Sequence, residues 1–491
     1  MKQLMLYTVF DFDGVDITEF SIYKNNNRSS AKVNKLDELA LKLQRDFNDT
    51  ICGRYLPIAS SMASGKHYIV LDASSSDANA YSVKVAGGCV YLSGNFNSIE
   101  NAIDTFYSEV LGCTSGAESG RNVSVPDGTE ITGSLGYTVP YTREDLLELM
   151  EKAYADNNMI ISGQHTYSIS DYADTNDGGD ISGTRALLES EIGDSAAILG
   201  LDVGVHSPYT YWHTGTNTLY ENDVSRIVTE CMEFVSEGGI ITISMHPANP
   251  MWKEGDGNWY EGNLGNFINV MSMLSEGTDL NTAFHKTLEP TMDLIKALHE
   301  NGIPFMFRPF HEMNASWFWW GVDGSIMTET LFKQMWVYLY NYVTEDLGID
   351  DNILWVYSPD VNGNSYNPYP GDAYVDMVGA DWYVKDDQNA YKTVFNKIKD
   401  KNMSVSLTEF GPNTKFQKKD ENGNTYYDYS CMTLLDCMKN MMKNGYGVSY
   451  FLAWTRNLSL VSLYDGESFM NDSAVITLDD MPSIWANIKN S

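Results

Sequence analysis

Much that would steer this sequence toward a familiar chemistry is missing from it. The six cysteines, Cys52, Cys89, Cys113, Cys231, Cys431 and Cys437, form no C-x-x-C pair and have no histidines at zinc spacing. They read as buried thiols rather than a metal site, with Cys89 and Cys113 the one disulfide pairing left open. Positive charge is scarce: 32 Lys plus Arg against 66 Asp plus Glu give a formal net charge of −34. Such a field repels phosphate backbones, so nucleic acid and anionic membranes are poor partners. No apolar run approaches the roughly 18–20 residues that span a bilayer. Nucleotide, flavin and metal motifs are absent too, and no cofactor is expected. The acidic run DTNDGGD at 174–180 lacks the glycine spacing of a helix–loop–helix calcium site and reads as a solvated loop. The opening MKQLMLYTVFDFDG has a short apolar run, but no small-residue cleavage site and acidic residues at once, so it reads as a strand and not a signal.

What is present is length and aromatic surface. At 491 residues the chain exceeds one ordinary core, and two domains are expected. The 31 Tyr, 19 Phe and 11 Trp suffice to line a groove as well as fill cores, which leaves a neutral polymer as an open partner. Residues 1–115 alternate strand-like and helix-like stretches: LYTVF, a helical spacing from Val33 to Phe47, KHYIVLDA, AYSVKVAGGCVYLSGN and IENAIDTFYSEVLG. That pattern predicts a small α+β sandwich. Residues 116–141 are rich in Gly, Ser, Thr and Pro and read as a linker.

From Thr142 to the end at 491 the order becomes regular. Eight apolar runs, MIISGQH, AAILGLDVG, GIITISMH, PFMFRPFHE, NILWVYSP, VDMVGADWY, VSLTEFG and GVSYFLAW, each end in polar residues. Helical patterns separate them, as at 220–237, 279–300, 328–346, 391–400 and 431–444. Strands without clean alternation between helices imply a parallel sheet covered on both faces. Eight units over about 350 residues fit an α/β fold of the (β/α)8 TIM-barrel type with insertions. An open doubly wound sheet is the alternative, but its glycine-rich phosphate loop is missing.

In such a barrel the C-terminal strand ends converge on the active site. The residues there are Gln164 and His165, Asp202, His246, Arg308 with His311 and Glu312, Ser358 and Asp360, Asp381 and Tyr383, Glu409, and Trp454 with Arg456. Glu312 and Glu409 stand out, because two carboxyl groups flanking a glycosidic bond can protonate the leaving oxygen and attack the anomeric carbon. Trp317, Trp319 and Trp320 follow Glu312 closely, and indole faces stack on sugar rings. Adjacent indoles cannot both face one cleft, so at least one is expected in the core. Asp202 and Asp381 read as hydrogen-bond hubs, and Arg308 as a partner for Glu409 or its neighbours.

At RPFHEMNASWFWWG, YPGDAYVDMVGADWY and VSLTEFG the chain resembles glycoside hydrolase family 26, over about residues 142–490. That family consists of retaining β-glycanases dominated by endo-β-1,4-mannanases. Position by position, the resemblance implies Glu312 as general acid/base, Glu409 as nucleophile, His311 and Tyr383 as their positioning partners, and Trp317 as a stacking platform. It also implies a substrate contact at His246 in SMHPANP, while Arg456 in WTRN stands where a distal sugar contact could form. Two positions depart from the family pattern, Ala315 in place of Gly and Met245 in place of Trp. Both lie near the expected cleft and bear on which sugar is bound, with mixed-linkage β-glucan and β-1,3-xylan as the other substrates.

A loop from Pro247 to Phe267, carrying Trp252, Trp259 and Tyr260, is expected to extend the cleft. The first domain resembles the α+β domain that precedes the barrel of α-glucuronidases and β-hexosaminidases, where it carries no catalytic residue. A carbohydrate-binding protein on a degenerate hydrolase barrel is the non-enzyme alternative, and the presence of both carboxylates argues against it. Secretion is expected from a polysaccharide substrate, not from any residue.

Overall fold

The computed structural model of the protein describes residues 9–25, 35–51, 53–73, 75, 77–94, 98–113, 122–156, 159–166, 181–203, 220–252, 260, 268–364, 367–384, 396, 403–413, 416–421, 425–428, 433–455 and 458–490. The chain divides into two compact units, Met1–Thr138 with Thr216–Met232, and Val139–Gly215 with Glu233–Ser491.

The larger unit contains a closed eight-stranded barrel. Its strands are β1 (Gly163–His165), β2 (Ile198–Val203), β3 (Ile240–Met245), β4 (Phe305–Arg308), β5 (Ile353–Tyr357), β6 (Met377–Val384), β7 (Val405–Pro412) and β8 (Phe451–Ala453). All neighbours are parallel, and β8 closes on β1 at Ala453 and Gln164. Every one of the eight expected runs supplies one strand. Their continuous hydrophobicity follows from burial on both faces: β2, β3, β4, β5 and β7 are buried at every residue. The helices Asp279–Glu300, Glu329–Asn341 and Leu434–Lys443 fall where expected, while 391–400 lies almost wholly outside the described residues. Thr142 caps the helix Arg143–Ala155 through a capping box with Asp145, just before β1.

Between β6 and β7 the barrel is irregular. The register slips there, so that Ala380 pairs with Leu407 and Asp381 pairs with Glu409. Thr408 is the extra residue, a bulge that re-aims the strand and sets two carboxyl side chains beside each other. Gly379 makes room for it, since a Cβ there would lie 2.4 Å from Thr408 Cγ2.

In the smaller unit a six-stranded sheet runs in the order Ile58–Ala59, Phe20–Lys24, His67–Asp72, Cys89–Gly94, Ala80–Ala86, Glu130–Ser134. The first four strands are parallel, and Ala80–Ala86 is antiparallel to both its neighbours. Gly87 and Gly88, at φ of 59° and 69°, close the two-residue hairpin that joins Ala80–Ala86 to Cys89–Gly94. Helices Lys35–Asp46 and Ile99–Thr105 bury Leu36, Leu39, Leu43, Ile99 and Ile103 in one core with Ile22, Ile69, Leu71, Val83 and Leu92. The expected helices therefore cover one face of a mixed sheet.

The stretch 116–141, expected as a linker, carries two strands. Asn122–Val125 pairs with Val9–Phe12, and Glu130–Ser134 completes the sheet edge against Ala80–Lys84. Its glycines and serines mask the short alternation in TEITG, where only every second residue is half-buried. Cys89 and Cys113 are not joined to each other, so the open disulfide pairing is not made. No described helix is long and apolar enough to cross a membrane.

Replacing Gly379 with Ala should force Thr408 off its position and cost about 1–3 kcal/mol, as overpacking of a tight interior does. Thermal unfolding checks this, and an unchanged melting temperature would show that the bulge tolerates the methyl group.

Candidate active site

The β6–β7 bulge and the top of β4 build the floor of the site. Arg308, the last residue of β4, is fully surrounded, and its guanidinium donates from Nη1 to Asp381 Oδ2 at 2.8 Å and from Nη2 to Glu409 Oε1 at 2.7 Å. Asp381 Oδ1 also accepts from Ser358 and Thr408, each at 2.8 Å. Glu409 Oε2 accepts from the Tyr383 hydroxyl at 2.6 Å. Both oxygens of Glu409 are thus taken as acceptors, and the expected link between Tyr383 and Glu409 is made.

The turn after β4 carries the other carboxyl group. Glu312 has a positive φ of 52°, and Phe310 one of 48°. Trp317 donates from Nε1 to Glu312 Oε2 at 2.6 Å while remaining 45% exposed. Trp319 and Trp320 are both buried, donating to Pro247 O and His311 O at 2.8 Å each, so the exposed indole is Trp317 alone. His311, expected with Tyr383 to position the two glutamates, has its Nε2 3.9 Å from Glu409 Oε1, beyond hydrogen-bonding distance. Adjacent residues in a tight turn point apart, which spacing alone does not reveal.

His246 follows β3 and is oriented by Asp202, the expected hydrogen-bond hub. Its Nδ1 lies 2.8 Å from each Asp202 oxygen, and Ser244 also donates to that carboxylate. Around the imidazole stand the rings of His311 at 4.6 Å, Phe318 at 5.2 Å, Tyr260 at 5.6 Å and Trp454 at 6.4 Å. Phe318 stacks on Trp320 at 4.4 Å, which settles its direction. Trp454 also meets His165 edge-on at 4.4 Å.

Arg308, His246, His311, Glu312, Trp317, Tyr383, Glu409 and Trp454 are therefore assembled at one end of the barrel. Trp252 is half-buried six residues after His246, its backbone N–H bonded to Asn249 O at 2.9 Å. Trp259, Arg456 and the acidic run 174–180 lie outside the described residues. Sequence reasoning missed Phe318 and Thr408, while Tyr260, expected in the cleft-extending loop, stands against the His246 imidazole. Phe318 was hidden by the tryptophans on either side, and Thr408 is a floor residue only because of the bulge.

The profile described as glycosyl hydrolase family 26 matches residues 140–445, more than half of the chain. A mannan endo-1,4-β-mannosidase of Bacillus subtilis (strain 168) is 32% identical over 293 residues, covering 58% of this chain and 73% of that protein. The chain belongs to glycosyl hydrolase family 26. A mannan endo-1,4-β-mannosidase of Bifidobacterium adolescentis is 33% identical over 196 residues, covering 36% of this chain and 18% of that protein. A solved Bacillus subtilis mannanase superposes with a TM-score of 0.53 at 28% identity, over 69% of this chain and 92% of that one. The protein is a glycoside hydrolase.

The electrostatics of this family 26 site separate its two glutamates. Burial, followed by the charges of Glu409, Asp381 and Asp360, pushes Glu312 well above the usual carboxyl range, and the Trp317 N–H only partly offsets this. Tyr383 is raised well above its ordinary value by burial and by Glu409, so it stays a donor. Burial, with the Arg308 charge next, drives His311 far down and leaves it neutral. Asp202 is held low: burial opposes this, and His246 and Ser244 outweigh it. His311, Asp381 and Glu409 offer three ligand atoms within 4.8 Å of one another. The Arg308 guanidinium already supplies the cation there, so this donor set does not fit a metal.

The raised Glu312 has a thermodynamic consequence. Above about pH 4.3 the unfolded chain releases this proton while the folded protein keeps it, so folding stability falls as pH rises until the folded group ionises. The Glu312→Gln protein should melt higher than the parent at about pH 8, with the difference shrinking toward about pH 4. Parallel melting curves across that range would show that Glu312 is not held protonated.

Proposed function

We propose that the protein is an endo-acting β-1,4-mannanase that cleaves by double displacement, with Glu409 as nucleophile and Glu312 as general acid/base. The supporting observation is the division between the two carboxyls. Glu409 has both oxygens bonded by Arg308 and Tyr383, whereas burial and neighbouring charge favour the protonated form of Glu312. In the first step Glu409 attacks the anomeric carbon while the glycosidic C–O bond breaks and the Glu312 proton passes to the departing oxygen. Water then attacks the glycosyl-enzyme, giving its proton to Glu312 and releasing Glu409 with the starting configuration restored.

Mannan is favoured because the Bacillus subtilis and Bifidobacterium relatives carry that activity in their names. The half-exposed Trp317 suits a stacking platform next to the acid, and His246 and Trp454 suit contacts to the sugar at the cleavage point. Trp252, Trp259 and Arg456 remain proposed distal contacts. A polymer of this size does not cross membranes, so we place the enzyme outside the cell.

Reducing-sugar release from galactomannan, glucomannan, unsubstituted mannan, mixed-linkage glucan and β-1,3-xylan, with Glu409→Ala as blank, tests the substrate. Activity should appear on the mannans and be absent on the pure glucan and xylan. Proton NMR of the first products should show the β-anomer. Activity on the glucan alone would transfer the reading to that polymer, and initial α-anomer would refute double displacement.

A further inference from the structure

Glu312 stands on a backbone conformation that side-chain-bearing residues rarely adopt, with φ of 52°, two residues after Phe310 at 48°. Such conformations persist where the surroundings over-determine them. Here the surroundings are the turn after β5, residues 358–364. The Glu312 N–H donates to Ser358 O at 2.8 Å. Asn314 then makes a reciprocal pair with Asp360: its Nδ2 donates to Asp360 O, and the Asp360 N–H donates to Asn314 Oδ1, both at 2.8 Å. This side-chain amide pairs with a backbone as a neighbouring strand would. The Asn364 N–H adds a bond to Asn314 O at 2.7 Å, and Asn364 Nδ2 donates to Val322 O at 2.9 Å. Gly363 permits the approach, since a Cβ there would lie 2.3 Å from Asn314 Nδ2 and 2.6 Å from Asn314 O.

We propose that Asn314, with Gly363 opposite it, is a positioning residue that locks the strained turn and so holds the Glu312 carboxyl in place for proton delivery. The proposal rests on the reading of Glu312 as general acid/base. The charged or donating groups that face Glu312 are Glu409 on β7, Asp381 on β6, Asp360 on the clamped turn, and the Trp317 indole N–H. Only Asp360 is fixed by the Asn314 amide. Releasing the clamp lets water in and loosens Asp360, which stays tied to Asp381 through the bonds of Val361 N–H to Asp381 O and Asp381 N–H to Pro359 O, and both changes make Glu312 easier to ionise.

The test uses Asn314→Ala and Gly363→Ala, which break the same contact from opposite sides, with Glu312→Ala as reference. Two substrates are compared by kcat/KM: mannan, whose leaving oxygen needs a proton, and 2,4-dinitrophenyl β-mannobioside, whose leaving group does not. Both variants should lose roughly 10- to 100-fold on mannan and change less than about threefold on the aryl substrate. Their alkaline limb on mannan should move to lower pH. Equal losses on both substrates, or an unmoved alkaline limb in the folded Gly363→Ala protein, would overturn the proposal and reduce Asn314 to packing. If Glu312→Ala itself loses both substrates alike, the acid/base reading fails and this inference fails with it.

Discussion

The buried guanidinium of Arg308 is the constraint on which the site depends. A charge taken out of water is costly unless its partners are close and well oriented, and removing one member of such a group strands the others. Here one cation binds two carboxylates, Asp381 and Glu409, within 2.8 Å. That arrangement needs both acids on adjacent strands, on the same face and at the same height. Regular pairing of β6 with β7 would set Asp381 beside Thr408 and aim Glu409 away. The bulge at Thr408 corrects the direction, and Gly379 makes the bulge sterically admissible. The hydroxyls of Ser358 and Thr408 then complete the shell of Asp381.

Glu312 is governed by the opposite logic. Among the described residues it has no cation of its own, it is buried, and it shares the space with three other carboxyl groups. Its side-chain donor among the described residues is the Trp317 indole, which is half-exposed and so spans the carboxyl and the open cleft. One acid is thus compensated and the other is not. The difference arises from which neighbours the barrel brings to each.

The barrel was readable because its strands are short, continuously apolar and polar-tipped, a consequence of burial on both faces that composition carries directly. The same rule located Arg308, His246, Tyr383 and Glu409, each in the C-terminal half of a barrel strand or just beyond it. Features that depend on three-dimensional registration were not readable. Nothing in VSLTEFG announces that Thr408 is an extra residue in its strand. Nothing in RPFHEM indicates that His311 turns toward Glu409 while Glu312 turns toward Trp317. The strands at Asn122–Val125 and Glu130–Ser134 were concealed by turn-forming residues around them, because edge strands need little hydrophobicity. Asn314 stood in RPFHEMNASWFWWG with no role assigned to it, and its role depends on a glycine 49 positions away.

The central claim is that Glu409 becomes covalently bound to the sugar. Treating the protein with a fluorinated mannobiosyl inactivator, digesting it and sequencing the labelled peptide by mass spectrometry addresses this directly. The account predicts one added glycosyl group per chain, carried by Glu409 in the peptide containing VSLTEFG. A label on any other residue would contradict it, as would turnover without a covalent adduct.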